Sequence, residues 1–270
     1  MSHRTDKLNE QLLSGRQLLR WFGVIAATAV LAAAVITSGR AHAADSTATG
    51  MLLRPGNWSQ QDNSYLLPSP LAVKPGQWPL DGWYRVVHKT GHLQVTAVPT
   101  PAKGLPDFLF TIALQLNNDA GDDDFTEQTE IYDTQYIRVP GVALREGRLP
   151  TLKFSNTVLR PQLDHVYALE MGGTPFTLRV QDGLRTAGGK AYGEGVLVDV
   201  GYAGESHSYF LGRCGRDAVI EAVADLDGDD RPDFIVRLNR GAASGEFLLL
   251  SGKAKPGRNQ PSATLRSQGC

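Results

Sequence analysis

Apolar and polar residues alternate along most of the chain after residue 82, and this period of two predicts β-strands. The alternation continues on both sides of Thr90-Gly91, which predicts a hairpin. With a two-residue turn Lys89 faces His92, whereas a three-residue loop would place His88 and His92 on one face. After the first forty residues, no sustained apolar stripe follows the 3.6-residue period of a helix. Further alternating runs are Phe108 to Leu116, Phe176 to Val180 and Val196 to Val200.

Turn-forming residues separate these runs at short intervals, as in Pro140-Gly141, Gly172-Gly173 and Gly188-Gly189. The composition agrees, since the 270 residues include 29 glycines and 15 prolines but only 3 methionines. Such spacing predicts about ten to twelve strands. The expected fold class is all-β, with antiparallel sheets arranged as a sandwich or a barrel.

The first 43 residues have the order of a secretory signal peptide. A basic stretch precedes an uncharged run from Trp21 to Ile36, and Ala41-His42-Ala43 offers small residues before a cleavage point at Ala44. An uncleaved membrane anchor is the alternative, with residues 21–36 as the membrane contact. Either interpretation predicts that the body of the chain lies outside the cytoplasm, periplasmic or secreted in the first case and attached to the inner membrane in the second.

Composition divides the remaining chain into three segments. Residues 44–79 are rich in Ser, Asn, Gln, Gly and Pro and are expected to form an exposed, extended leader. Residues 80–188 are expected to form a β domain. A glycine-rich run then leads into residues 189–270, a C-terminal β block that contains both cysteines.

Charge and cysteine content limit the possible partners. With 27 Lys and Arg against 28 Asp and Glu, the net charge is −1, so nucleic acid is not an expected partner. In an exported chain an even number of cysteines indicates a disulfide, here between Cys214 and Cys270. Two unpaired thiols are the alternative.

One motif carries recognisable chemistry. The segment 224–236 places carboxylates at Asp225, Asp227, Asp229 and Asp233, which are positions 1, 3, 5 and 9 of a loop between two strand-like stretches. Calcium takes six to eight oxygen ligands, and alternate side chains of a tight loop converge on one centre. The carbonyl of Arg231 falls at position 7. These residues predict a structural calcium site at the tip of a β-hairpin, with a solvated acidic turn as the alternative.

The same dozen residues resemble the calcium loops of FG-GAP and VCBS repeats, whose pattern is D-x-(D/N)-G-D-G-x-x-D followed by an apolar strand. The chain departs from that pattern at Asp230, which replaces a glycine at a position that commonly needs a positive φ. Several copies of such repeats often build a propeller, so a single copy here argues against that fold. The segment from the loop to Cys270 also resembles the ends of exported bacterial proteins, which implies no activity.

Four weaker groups of residues are interpreted as structural. A second acidic cluster fits a solvated hairpin loop: Asp122, Asp124, Glu127 and Glu130. Two histidines, His88 and His92, are too few for a metal site.

A hydrolase triad is not supported, because no nucleophile motif surrounds these candidates: His165, His207, Ser155, Ser206 and Ser208. The early aromatic residues are assigned to core packing: Trp58, Trp78, Trp83 and Tyr84.

These observations predict an exported, non-catalytic, calcium-binding β protein with a binding or envelope-structural role and an unknown protein or glycan ligand. The alternative is an exported hydrolase acting on glycans or peptides, with the calcium loop as a structural accessory. A cleft that holds two or more acids, or a Ser/His pair within hydrogen-bond reach, would distinguish the two.

Overall fold

A computed structural model describes eleven stretches of the chain, all within the compact unit Thr49–Cys270. The described residues are 50–54, 65–66, 71, 74–110, 133–156, 158–183, 185–187, 190–192, 195–212, 217–240 and 243–267. Several predictions fall outside them: the signal segment 1–43, Trp58, the acidic cluster 122–130, Cys214 and Cys270. In the described part of the chain, no helix is long and apolar enough to span a membrane.

The described residues are almost all β, which confirms the predicted fold class. Two short 3-10 helices lie at Pro75–Gln77 and Ser251–Lys253. The strands are β1 Gly50–Leu53, β2 Tyr65–Leu66, β3 Trp83–Lys89, β4 His92–Ala97, β5 Thr134–Arg138, β6 Gly147–Pro150, β7 Val166–Met171, β8 Thr174–Asp182, β9 Arg185–Ala187, β10 Lys190–Tyr192, β11 Val196–Tyr202, β12 Glu205–Gly212, β13 Asp217–Ala224, β14 Asp233–Arg240, β15 Ala243–Leu249, β16 Gly257–Asn259 and β17 Ala263–Ser267.

The larger sheet has the strand order β13-β14-β15-β17-β1-β5-β3-β4-β6, with β2 also paired to β17. Its first and last strands approach each other through the segments on both sides of β6. Backbone N–H groups of Arg145 and Leu152 donate to the carbonyls of Leu226 and Val223, at 2.7 and 3.0 Å. Further along, Leu159 pairs with Ile220. These bonds bring the sheet close to a closed barrel, which leaves fewer backbone groups exposed at its edges.

The smaller sheet, β16-β12-β11-β8-β7, covers the outer face of the β13–β15 part of the barrel. Strand β14 contains an uninterrupted apolar run, Phe234 to Val236, because both of its faces are covered there. Phe234, Val236 and Leu238 pack against the smaller sheet, whereas Ile235 points into the barrel. Both faces of β14 are therefore buried, and the fold combines a barrel with a sandwich.

The hairpin predicted at Thr90-Gly91 is confirmed. Lys89 pairs with His92 across the turn, and Gly91 has a φ of 75°. Because side chains alternate along a strand, His88 and His92 lie on opposite faces of the hairpin and do not form one site. The predicted strand around Phe108 is wrong at its start, since residues 107–110 are helical and the Phe110 N–H donates to the Pro106 carbonyl at 2.9 Å.

Two segment predictions need correction. The prediction of an exposed leader does not apply to Gly50–Leu53, because this segment is a fully buried strand between β5 and β17. Trp78 and Trp83 are buried in the core, as expected. The boundary expected near residue 188 falls between β8 and β11, which pair along their whole length in one sheet. The described residues on both sides of it therefore belong to the same unit.

Candidate functional site

The acidic motif forms the connection between β13 and β14, as the sequence predicts. Three of its carboxylates converge: Asp225, Asp227 and Asp229 each place an oxygen within 4.8 Å of the others. Backbone N–H groups shape the loop by donating to two of these acids, Gly228 to Asp225 at 2.8 Å and Arg231 to Asp229 at 3.0 Å. Alternate residues of the loop therefore point inward, and its geometry brings three hard oxygen donors to one place.

Asp233 does not join this group. Its side chain is fully buried, and both of its oxygens accept hydrogen bonds from the surrounding backbone. Oδ2 accepts from the N–H groups of Leu226 and Asp227 at 2.7 and 3.2 Å. Oδ1 accepts from the Ser251 N–H and hydroxyl at 2.7 and 2.8 Å. Asp233 thus holds the two ends of the loop together, whereas the sequence had assigned it to the metal.

The 3-10 turn Ser251–Lys253 forms one wall of the acidic cluster, which the sequence did not indicate. The Ser251 hydroxyl lies 2.9 Å from Asp229 Oδ1. Gly252 leaves no room for a side chain, since a Cβ there would stand 2.5 Å from Asp227 Oδ2. Residues about twenty positions downstream therefore complete the site, and a Ser-Gly pair after an apolar strand carries no local signal of that role.

Arg231 contributes charge near the cluster. Its guanidinium lies 4.0 Å from Asp229 and over the ring of Tyr202, 5.6 Å from the ring centroid. Arg145 adds a second cation, 3.2 Å from Asp225 Oδ2. Two cations at the rim offset part of the repulsion among three carboxylates. Both arginines are about half exposed, so the offset is weakened by solvent.

The surroundings of Asp227 disfavour its charged form. Burial and the neighbouring Asp229 carboxylate raise the pKa of Asp227 to about 6. Its Oδ1 atom is buried and has no hydrogen-bond partner in the described part of the chain. A divalent cation among the three acids would satisfy that oxygen and would favour the ionised form. The residues present therefore fit a calcium ion, which accepts carboxylate oxygens in flexible geometry.

Asp230 adopts the backbone conformation that the loop pattern assigns to glycine. Its φ is 61°, and the preceding Gly228 has a φ of 80°. A positive φ is costly for residues with a Cβ, although Asp and Asn tolerate it better than most. The departure from the FG-GAP and VCBS pattern at this position therefore changes the residue and keeps the backbone conformation.

The histidines and serines considered for a hydrolase triad are used elsewhere. His207 Nδ1 lies 3.0 Å from the Lys255 carbonyl, and its ring stacks on Tyr202. Ser208 donates to Asp199 Oδ1 at 2.5 Å. His165 packs edge-on against Tyr167. Among the described residues, no histidine therefore shares a hydrogen bond with one of these serines.

The barrel also encloses a cavity of about 1050 Å³. Buried charged and polar residues form its floor. Arg54 binds both acids there, through Nη2 to Glu221 Oε2 at 2.6 Å and through Nε to Glu246 Oε1 at 2.5 Å. The Gln135 amide also donates to both, at 3.4 and 3.0 Å. The cavity thus holds two acids in a cleft, a feature that the sequence did not reveal.

Comparison with protein-family models, curated proteins and solved structures found no match. The fold and the loop define a coarse class only, an all-β protein whose barrel-like sheet carries an acidic loop able to hold a metal ion.

Proposed function

We propose that this chain is an exported, non-catalytic β protein that binds one calcium ion at Asp225, Asp227 and Asp229 and serves a binding or envelope-structural role. The convergence of these three carboxylates, with one buried oxygen lacking a partner, carries the proposal. The resemblance to FG-GAP and VCBS loops supports it. Calcium would be structural, because none of the three converging acids lines the polar cavity.

Calcium is expected to raise the melting temperature of the exported chain. At a concentration about a hundredfold above the dissociation constant, a ligand stabilises by about 2.7 kcal/mol, which corresponds to roughly 5–10 °C for a unit of this size. Asp227→Asn should abolish the rise, because it removes a charged ligand and keeps an oxygen for the Gly252 N–H. In chelator this variant should be no less stable than wild type, since it relieves repulsion from Asp229. Thermal unfolding with and without calcium measures both effects.

Asp230→Gly is the matched control, because it also removes one carboxylate from the loop but lies outside the converging group. It should keep the calcium response and tighten binding, since glycine adopts a φ near 61° without strain. Magnesium should stabilise less, because it needs a rigid octahedral shell and dehydrates reluctantly. Equal melting curves in calcium and chelator for wild type and both variants would show that the loop is a solvated acidic turn and not a calcium site.

Export is supported by the basic stretch, the apolar run 21–36 and the small residues before Ala44. It leads to the prediction that Cys214 and Cys270 form a disulfide in the exported chain. Mass spectrometry of a non-reduced digest should detect the linked peptides. Two thiols open to alkylation in the exported protein would contradict both the bond and part of the export argument.

An exported hydrolase is the second candidate, because the cavity places Glu221 and Glu246 close together. A glycoside hydrolase needs one carboxyl that holds a proton and a second that is ionised. Here all four carboxylate oxygens already have a partner: Arg54 binds one oxygen of each acid, Arg237 lies 3.2 Å from the other Glu221 oxygen, and Gln135 donates to the other Glu246 oxygen. Acids held in this way support binding more than proton transfer to a leaving group. Release of reducing ends from an oligosaccharide by the purified protein would favour the hydrolase.

A further inference from the structure

We propose that the barrel cavity binds a neutral, polyhydroxylated ligand, a sugar or short oligosaccharide, through Arg237, Asn239 and Phe154. At about 1050 Å³ the cavity lies at the upper end of the roughly 300–1,000 Å³ that small-molecule sites occupy. This proposal does not rest on the calcium loop, since none of Asp225, Asp227 and Asp229 lines the cavity. Glu221 on the cavity floor precedes Asp225 by four positions, which is about 13 Å of extended chain.

The barrel interior changes character along its length. Ile235, Leu248 and Leu250 pack as an apolar core toward the calcium-loop end. Toward the other end the inward positions of the same strands are polar, namely Arg237, Asn239, Ser244 and Glu246. A bulge in β13, between Ile220 and Ala222, turns Glu221 to the same cavity. The polar end is therefore a separate compartment of the barrel.

Charges on the cavity floor cancel one another. Arg54 is bound by Glu221 and Glu246, and Arg237 Nε lies 3.2 Å from Glu221 Oε1. Two guanidinium groups thus face two carboxylates on the floor. The rest of the lining adds Lys89, Lys153 and Asp133, so four cations face three anions and little net charge remains to select an anion or a cation. Such a buried network is seldom more stabilising than apolar residues of the same size. Its presence beside a large cavity is better explained by a ligand than by stability.

His88 belongs to the same network as a neutral group. The Gln135 amide nitrogen donates to both glutamates, so its carbonyl oxygen accepts from His88 Nε2–H at 3.2 Å. The proton on Nε2 leaves Nδ1 as an acceptor. Burial lowers the pKa of His88, which agrees with a neutral ring. The cavity therefore presents guanidinium and amide donors together with carboxylate and imidazole acceptors.

A hydroxyl group both donates and accepts hydrogen bonds. A sugar ring with several hydroxyls can therefore bind the donors and the acceptors of the cavity wall at the same time. Arg237 supplies free donors, because its Nη groups have no partner among the described residues and its side chain is 34% exposed. Asn239 lies two positions further on the same face of β14, and its amide makes no bond within the described part of the chain. These two side chains are the groups on which a ligand can form new bonds.

Phe154 is the aromatic residue among those that line the cavity. Its side chain is also partly buried against the core between the two sheets. The C–H groups on one face of a pyranose ring pack against aromatic rings, whereas anions avoid the negative face of the ring. An aromatic side chain beside donors and acceptors therefore favours a sugar over a phosphate or a carboxylate.

The exported chain, in calcium, is tested first on an array of neutral oligosaccharides, acidic oligosaccharides and dipeptides. The neutral oligosaccharide that binds best is then titrated calorimetrically. Arg237→Gln and Asn239→Ala should each weaken its affinity about tenfold or more, because each removes one or two hydrogen bonds to the ligand. Phe154→Leu should weaken it with no large change in melting temperature. Arg258→Gln is the matched control, since this exposed arginine lies on β16, away from the barrel cavity.

Several results would overturn the proposal. They are the absence of binding to any neutral oligosaccharide, preferential binding of acidic oligosaccharides or dipeptides, and affinity that is lost in Arg258→Gln but kept in Arg237→Gln. Asp227→Asn separates this proposal from the calcium site, because it should leave sugar binding unchanged. Hydrolysis of the bound oligosaccharide would support the ligand class and contradict the non-catalytic function proposed above.

Discussion

Replacing Arg54 with leucine is expected to lower the free energy of unfolding by about 3–5 kcal/mol. The side chains of Arg54, Glu221 and Glu246 are 10%, 8% and 3% exposed, so removal of the guanidinium leaves Glu246 buried without a cation and Glu221 with only its contact to Arg237. Gln135 can donate only two hydrogen bonds in compensation. Urea unfolding at neutral pH measures the loss, and an unchanged slope against denaturant would show that the folded state keeps its compactness.

The loss of stability in Arg54→Leu should depend on pH, and the direction of that dependence can be stated. Burial raises the pKa of Glu246 above its value in the unfolded chain. A group of this kind stabilises the fold below its unfolded pKa, and that contribution is lost as the pH rises through the folded pKa. Loss of Arg54 raises the folded pKa further, so the Arg54→Leu deficit should be smaller at about pH 5 than at about pH 8.

Glu246→Gln in the Arg54→Leu background is the companion variant. It should restore part of the stability, because it removes the buried charge that Arg54→Leu leaves without a cation. In wild type the same substitution should destabilise, since it breaks the bond to Arg54. A deficit below about 1 kcal/mol for Arg54→Leu, equal at both pH values, would mean that water reaches the glutamates and that the network does not hold the barrel together.

The fold class and the convergence of three acids in the loop could be predicted because both leave a local mark in the sequence. Alternation along β8 and β11 follows from one buried face on each strand. The turn at Thr90-Gly91 follows from a glycine with positive φ. In the acidic loop, Asp225, Asp227 and Asp229 are close in sequence and close in space. Each of these features depends on residues within about ten positions of one another.

The barrel and its cavity depend on contacts between distant segments. Strand β1 joins the sheet by parallel pairing to β17, with Gly50 opposite Ala263, and nothing in the four residues GMLL predicts that position. The cavity floor brings Arg54 to Glu221, 167 residues away. In the sequence Glu221 interrupts an apolar strand, which indicates an exposed edge. The bulge that turns it inward becomes visible only in the three-dimensional fold.

The surroundings of Asp233 in the structure differ from the ligand role that its spacing predicts. Its spacing matches a ligand position, so the sequence placed it with the other acids. The strand that follows the loop starts at Asp233, and its side chain is therefore drawn into the core, where backbone N–H groups surround it. A buried carboxylate that accepts several hydrogen bonds is a structural brace of the loop.

Asp233→Ala is accordingly expected to lower the free energy of unfolding by about 3 kcal/mol or more and to abolish calcium binding. Three backbone N–H donors, on Leu226, Asp227 and Ser251, lose their acceptor, and each unsatisfied buried donor costs about 1–3 kcal/mol. The loop then loses the bonds that hold Asp227 and the Ser251 turn in place. Urea unfolding and calcium titration of the same sample measure the two losses.

Two further variants separate bracing from ligation. Asp233→Asn keeps one carbonyl oxygen and should retain part of the stability, but its NH₂ group faces N–H donors and cannot accept from them. Asp227→Asn should lose calcium binding with little loss of stability in chelator, whereas Asp233→Ala should lose both. If Asp233→Ala instead kept wild-type stability in chelator and lost only the calcium response, Asp233 would be a metal ligand and the brace assignment would be wrong.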